Sequence, residues 1–204
     1  MESLDKLKGV WQNQGESSIR FSEQDIDKML QKKSSSIVKW ILIISILEFV
    51  LPNLIYLVTD HKASRRIYEN YGLTNITMIY TAIHVIIICA FIYFFYKNYK
   101  NISADSSVKE LLHDILKTRT TVKYYIYYNL TMAAIIGIHI FYVVFNSPSF
   151  LENIPENLSL ATVWLVAILL LSISIFIFWV FYRILYGILL KRLNKNYKDL
   201  LKIE

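Results

Sequence analysis

Four runs of apolar residues, 37–58, 76–96, 124–145 and 160–182, alternate with polar segments along the chain. Each run reaches the roughly 20 residues that an α-helix needs to cross about 30 Å of hydrocarbon. None shows the period of two that marks a half-buried strand. Only helices and closed barrels satisfy their backbone groups in lipid, so the pattern predicts an all-α integral membrane four-helix bundle with cytoplasmic helical extensions. Around the four spans lie a leader, 1–36, three connections, 59–75, 97–123 and 146–159, and a tail, 183–204.

Basic residues orient these spans. Lys6, Lys8, Arg20, Lys28, Lys32, Lys33 and Lys39 precede or open the first span. Lys97, Lys100, Lys109, Lys117, Arg119 and Lys123 fall between the second and third. Arg183, Lys191, Arg192, Lys195, Lys198 and Lys202 follow the fourth. The connection 59–75 holds only Lys62, Arg65 and Arg66, and 146–159 holds none. By the positive-inside rule both termini and the 97–123 connection are expected in the cytoplasm, with 59–75 and 146–159 as external loops. The net charge of +6 is thereby an orientation signal, and no nucleic-acid partner is expected. The lipid bilayer is the first expected partner.

The leader carries periodic patterns of its own. Leu4, Leu7 and Trp11 recur at spacings of three and four, giving an apolar stripe that Asn13-Gln14-Gly15 ends. A second helix is expected from Ser22, with Asp25 three positions on as in a capping box, Phe21 as a hydrophobic staple, and Ile26, Met29 and Leu30 as the apolar side. It meets no breaker before the first span. Leu4, Leu7, Trp11, Phe21, Ile26, Met29 and Leu30 suit either a docking peptide that folds in a partner's groove or a leader that packs on its own cytoplasmic loop or lies in the lipid interface.

Two further cytoplasmic helices are predicted. Asp105-Ser106-Ser107 with Glu110 is a helix start, and Val108, Leu111, Leu112, Ile115 and Leu116 form a stripe running toward the third span. In the tail, Tyr186, Leu190, Leu193, Tyr197 and Leu200 repeat at 4-3-4-3, the spacing of a helix seam. The fourth span is therefore expected to project into the cytosol and pack against the 107–123 helix, with adsorption to the membrane surface as the alternative.

Within the spans, ionisable residues mark the places to look for chemistry. A carboxylate facing lipid is costly, so Glu48 is expected to face inward or carry a proton. Counted from the outer ends of their runs, Glu48, His84 and His139 fall within roughly 6 Å of one another in depth. These intramembrane polar candidates fit three chemistries. One is hydrogen-bonded glue between helices; another is a proton or small-solute site; a third is a transition metal or a haem held between helices. No two share a helix at ligand spacing, and the expectation is glue, with no cofactor and no catalytic residue. A small transporter or embedded metal or haem protein is the alternative. Pro52 removes the amide that would bond the Glu48 carbonyl and is expected to bend the first span. Gly137 and Ala133-Ala134 permit close approach of the third span to a neighbour, Trp40, Trp164 and Trp179 suit interface anchors, and a lone cysteine, Cys89, excludes an intrachain disulfide.

The leader ending in Lys32-Lys33-Ser34-Ser35-Ser36-Ile37-Val38-Lys39-Trp40, the four-span body, and the string Ile115-Leu116-Lys117-Thr118-Arg119-Thr120-Thr121-Val122-Lys123-Tyr124-Tyr125 resemble a family of small bacterial inner-membrane proteins often encoded beside sigma factors of the extracytoplasmic-function group. The resemblance implies a membrane-tethered, anti-sigma-like regulator, more a scaffold than an enzyme, whose leader holds a sigma factor. The chain lacks the periplasmic sensor domain of ordinary anti-sigma proteins. Self-association into a homo-oligomer is a further expectation from its aromatic-rich surface.

Overall fold

The computed structural model describes residues 23–103, 107–155 and 158–202. The expected contacts at Leu4, Leu7, Trp11 and Phe21, and the expected cap at Ser22, lie outside the described residues. All regular structure among the described residues is helical: α1 (Glu23–Val58), α2 (Lys62–Asn70), α3 (Thr74–Ser103), α4 (Val108–Phe145), α5 (Pro148–Leu151) and α6 (Leu160–Leu200). Four of these, α1, α3, α4 and α6, are long and apolar enough to cross a membrane.

Local chemistry sets several helix boundaries. α4 begins at Ser107, whose hydroxyl accepts from the Glu110 amide at 3.4 Å while the Glu110 carboxylate accepts from the Ser107 amide at 3.1 Å, a complete capping box. α6 begins at Ser159, whose side chain accepts from the Thr162 amide at 3.2 Å. α1 runs through Pro52 to Val58, with the Asn53 amide donating to the Phe49 carbonyl at 2.6 Å beside the lost backbone bond.

The connection 59–75 is more ordered than a loop, because it contains α2. That helix ends in a Schellman turn: the Gly72 amide donates to the Glu69 carbonyl at 3.1 Å and the Leu73 amide to the Tyr68 carbonyl at 2.8 Å. Gly72 has φ of 65°, the left-handed conformation that a Cβ disfavours. Leu73 is buried beneath this turn, which joins α2 directly to the head of α3.

The long helices form a ring in which α1 adjoins α3, α3 adjoins α4, α4 adjoins α6, and α6 adjoins α1. Across the ring α1 also meets α4, whereas α3 and α6 do not touch. The core is unevenly placed along this ring. Val38, Ile41, Phe95, Ile102, Ile115, Val122, Tyr186, Leu193 and Leu200 are all fully buried, and they gather toward the end that carries most of the lysines. At that basic end the bundle has a continuous interior. The expected stripe is therefore inside at Leu111, Leu112 and Ile115, with Val108 half-buried against it. Leu116 departs from the expectation: it is 41% exposed, at the edge of the stripe that Leu111, Leu112 and Ile115 turn inward. The tail seam packs as its spacing predicts, with Leu190 and Tyr197 half-buried beside the fully buried Tyr186, Leu193 and Leu200.

The opposite end is built differently. Every residue from 50 to 58 of α1 is exposed, and so is most of α6 between 165 and 179, an apolar surface of the kind that lipid covers. There α4 and α6 approach closely at Gly137, where a Cβ would lie 2.6 Å from Leu171 Cδ1. Trp164 packs edge-on against Phe145 at 5.2 Å between ring centroids. Trp40 and Trp179 keep exposed rings, and the Arg183 guanidinium lies 5.0 Å from the Trp179 ring centroid.

Candidate functional site

A polar seam runs along the inward face of α1. Asp27, Ser34, Ile41 and Glu48 recur every seven residues and so share one face of the helix; Val38 and Ser45 complete it at intervening positions. Three of the four heptad positions are polar, an unusual choice for a side that meets a bundle core. Ser34 and Ser45 are fully buried, and Asn196 on α6 is nearly so. Ser45 satisfies itself by donating to the Leu42 carbonyl at 2.8 Å, and Ser34 accepts from the Asn196 amide at 3.2 Å across the helix interface.

Glu48 is the centre of this arrangement. Tyr125 of α4 donates its hydroxyl hydrogen to Glu48 Oε2 at 2.6 Å, and Tyr186 of α6 donates to the same oxygen at 3.0 Å. One carboxyl oxygen thus ties three helices, and its bond to Tyr125 spans the ring diagonal. The two tyrosines are buried and held by aromatic contacts. Tyr125 meets Phe91 at 5.4 Å, Phe95 at 5.5 Å, Tyr186 at 5.8 Å and Tyr182 at 6.2 Å between centroids, each with the rings steeply inclined. Glu48 Oε1 is buried without a hydrogen-bond partner among the described residues; the same holds for Asp27 Oδ1 and Asn196 Oδ1.

The expected layer of Glu48, His84 and His139 does not form. Glu48 is level with Tyr125, and His139 lies fourteen residues further along α4, about 21 Å by helix rise. His84 pairs instead with Tyr128, Nδ1 to hydroxyl 3.3 Å apart with the rings stacked at 5.7 Å. His139 receives Tyr80 edge-on at 5.6 Å. Among the described residues no three His, Cys, Asp or Glu side chains gather as a metal would require. The depth estimate failed for a simple reason. It took the outer ends of the apolar runs as level, yet α1 extends only ten residues past Glu48, about 15 Å, while α4 extends twenty past Tyr125, about 30 Å. The first run is displaced toward the basic end. Glu48 and His139 stand too far apart in height to share one metal or haem.

The leader residues within the described part divide between two environments. Leu30 packs against the bundle's own core and Ile26 is half-buried, whereas Met29 is 57% exposed. Tyr125, Asn196 and Ser34 were not singled out from the sequence, and Tyr186 was placed in the tail seam without its acceptor. The signal for the polar seam is the heptad Asp27-Ser34-Ile41-Glu48, which the stronger apolar stripe of Ile26, Met29 and Leu30 on another face of the same helix masks.

Four helices of membrane-spanning length and composition, three of them tied through the Glu48 carboxylate, define the class of a multi-pass membrane protein. The chain belongs to the DUF8845 family, a domain of unknown function, whose model matches residues 24–204. The match takes in Ile26, Met29, Leu30 and the whole Glu48 cluster, and it starts after Leu4, Leu7, Trp11 and Phe21. No curated protein and no solved structure matches the chain significantly.

Proposed function

We propose that this chain is a regulatory or scaffolding protein of the bacterial inner membrane, with both ends in the cytoplasm, that holds a cytoplasmic protein through residues 1–36. The observation that carries the proposal is the continuity of α1. One helix of 36 residues bears Ile26, Met29 and Leu30 in its first turns and the first apolar run in the rest, so a protein held by the leader is mechanically joined to the bundle. The exposed Met29 supports the same reading, since an amphipathic helix engages a groove through side chains at such spacings. The partner suggested by the resemblance is a sigma factor of the extracytoplasmic-function group. Leu4, Leu7, Trp11, Phe21, Ile26, Met29 and Leu30 are its proposed contacts. Deleting residues 1–21 is expected to abolish capture of that sigma factor, since it removes four of the seven proposed apolar contacts, each worth about 1.5–3 kcal/mol when fully buried, while membrane insertion persists. Co-purification from detergent extracts, with membrane fractionation alongside, measures both; undiminished capture by the shortened chain would sink the proposal.

A further inference from the structure

The buried polar atoms that lack partners among the described residues are confined to one seam. Asp27 Oδ1 and Glu48 Oε1 lie on the polar heptad of α1, and Asn196 Oδ1 lies on α6 against it. All three are acceptors. A buried acceptor without a donor weakens the interface that encloses it, so the contact between α1 and α6 is held less firmly than its buried area suggests. Past Glu48, residues 50–58 of α1 are all exposed, so α1 is held mainly on the basic side of that residue, against both α3 and α6. The bonds across this seam are Asn196 to Ser34 near the leader and Tyr186 to Glu48 further along. Leu30, one turn before Ser34, packs into the core that the seam closes.

From this geometry we infer that α1 is the opening helix of the bundle, and that the closed bundle masks part of the leader's docking face. The inference rests on the proposed role of residues 1–36. A groove that takes an amphipathic helix requires its apolar side chains together, and here Met29 is exposed and Ile26 half-buried while Leu30 is packed against the chain's own core. Full engagement of the partner therefore needs the leader end of α1 to part from α6, breaking the Asn196–Ser34 bond. Glu48, bonded to Tyr125 and Tyr186 fourteen residues further on, acts as the hinge point below which α1 stays in place. The bundle and the partner compete for one face, and the seam sets the balance between them.

The test uses the full chain with Cys89→Ser, so that introduced thiols are alone. In one arm, Ser34→Cys with Asn196→Cys is joined by a short bifunctional thiol crosslinker, and capture of the sigma factor is compared with the same protein treated with a monofunctional reagent. Crosslinking is expected to weaken capture about tenfold; equal capture by both samples would overturn the inference. In the second arm no partner is present, and the alkylation rate of Leu30→Cys is measured with and without Asn196→Ala. Loss of the latch is expected to raise that rate about tenfold, and an unchanged rate would overturn the opening seam. Should the monofunctional control capture nothing, the docking role fails, while the alkylation arm still decides whether α1 opens.

Discussion

Glu48→Leu is expected to destabilise the bundle by about 2–4 kcal/mol, because it removes the acceptor of two buried tyrosine hydroxyls at once. Tyr125 and Tyr186 have 2% and 0% of their surface exposed, so neither hydroxyl can turn to water without unpacking the aromatic cluster around it. Leucine matches the apolar core and still leaves two donors stranded. The conservative Glu48→Gln keeps an amide oxygen in place of Oε2 and is expected to cost under about 1 kcal/mol. Adding Tyr125→Phe and Tyr186→Phe to Glu48→Leu removes the stranded hydroxyls and is expected to recover most of the loss, since an interaction deleted on both sides leaves no unsatisfied group. Unfolding of the detergent-solubilised protein, followed by helical circular dichroism, measures all three. If Glu48→Leu proves as stable as Glu48→Gln, the hydrogen bonds to Tyr125 and Tyr186 do not hold the bundle together.

Phe95→Ala is expected to cost about 3–5 kcal/mol, the largest single loss foreseen in the apolar core. Phe95 is fully buried on α3, 5.5 Å from the Tyr125 ring and 6.4 Å from Phe91. Its removal opens a cavity beside the Tyr125 ring, which its hydrogen bond to Glu48 holds in place. The adjacent Phe94 supplies the internal control. It is 49% exposed on the outward side of the same helix, and Phe94→Ala is expected to change stability by under about 0.5 kcal/mol. The same unfolding measurement compares the two. Equal losses would mean that the basic-end core is not the packed centre of the molecule.

What the sequence made legible was local. The four apolar runs, the Ser107–Glu110 capping box and the tail seam at Tyr186, Leu193 and Leu200 each depend on spacings within one helix, and each appears in the structure where its pattern places it. α2 leaves little trace in the sequence because nine residues rich in charge carry no apolar run long enough to compete with turn signals. The partners of Glu48 were beyond such reasoning for a different cause: Tyr125 and Tyr186 are 77 and 138 residues away, and only the helix order and relative heights bring them together. Relative height was also what misplaced His139. An apolar run gives the length of a span and leaves its axial offset free, and here α1 is shifted toward the basic end by about half a span.

The same shift gives the leader its significance. Ile37, Val38 and Ile41 are buried at the start of an apolar run, with Ser34 buried just before it and Leu30 packed on the same core, so the exposed Met29 stands at the edge of the bundle's interior. The most direct test is a photoreactive amino acid at Met29 in the full-length chain, activated in living cells. The account predicts a crosslink to a cytoplasmic protein, a sigma factor of the extracytoplasmic-function group, that disappears when residues 1–21 are removed. Crosslinks from Met29 only to lipid or to the chain's own helices would contradict it.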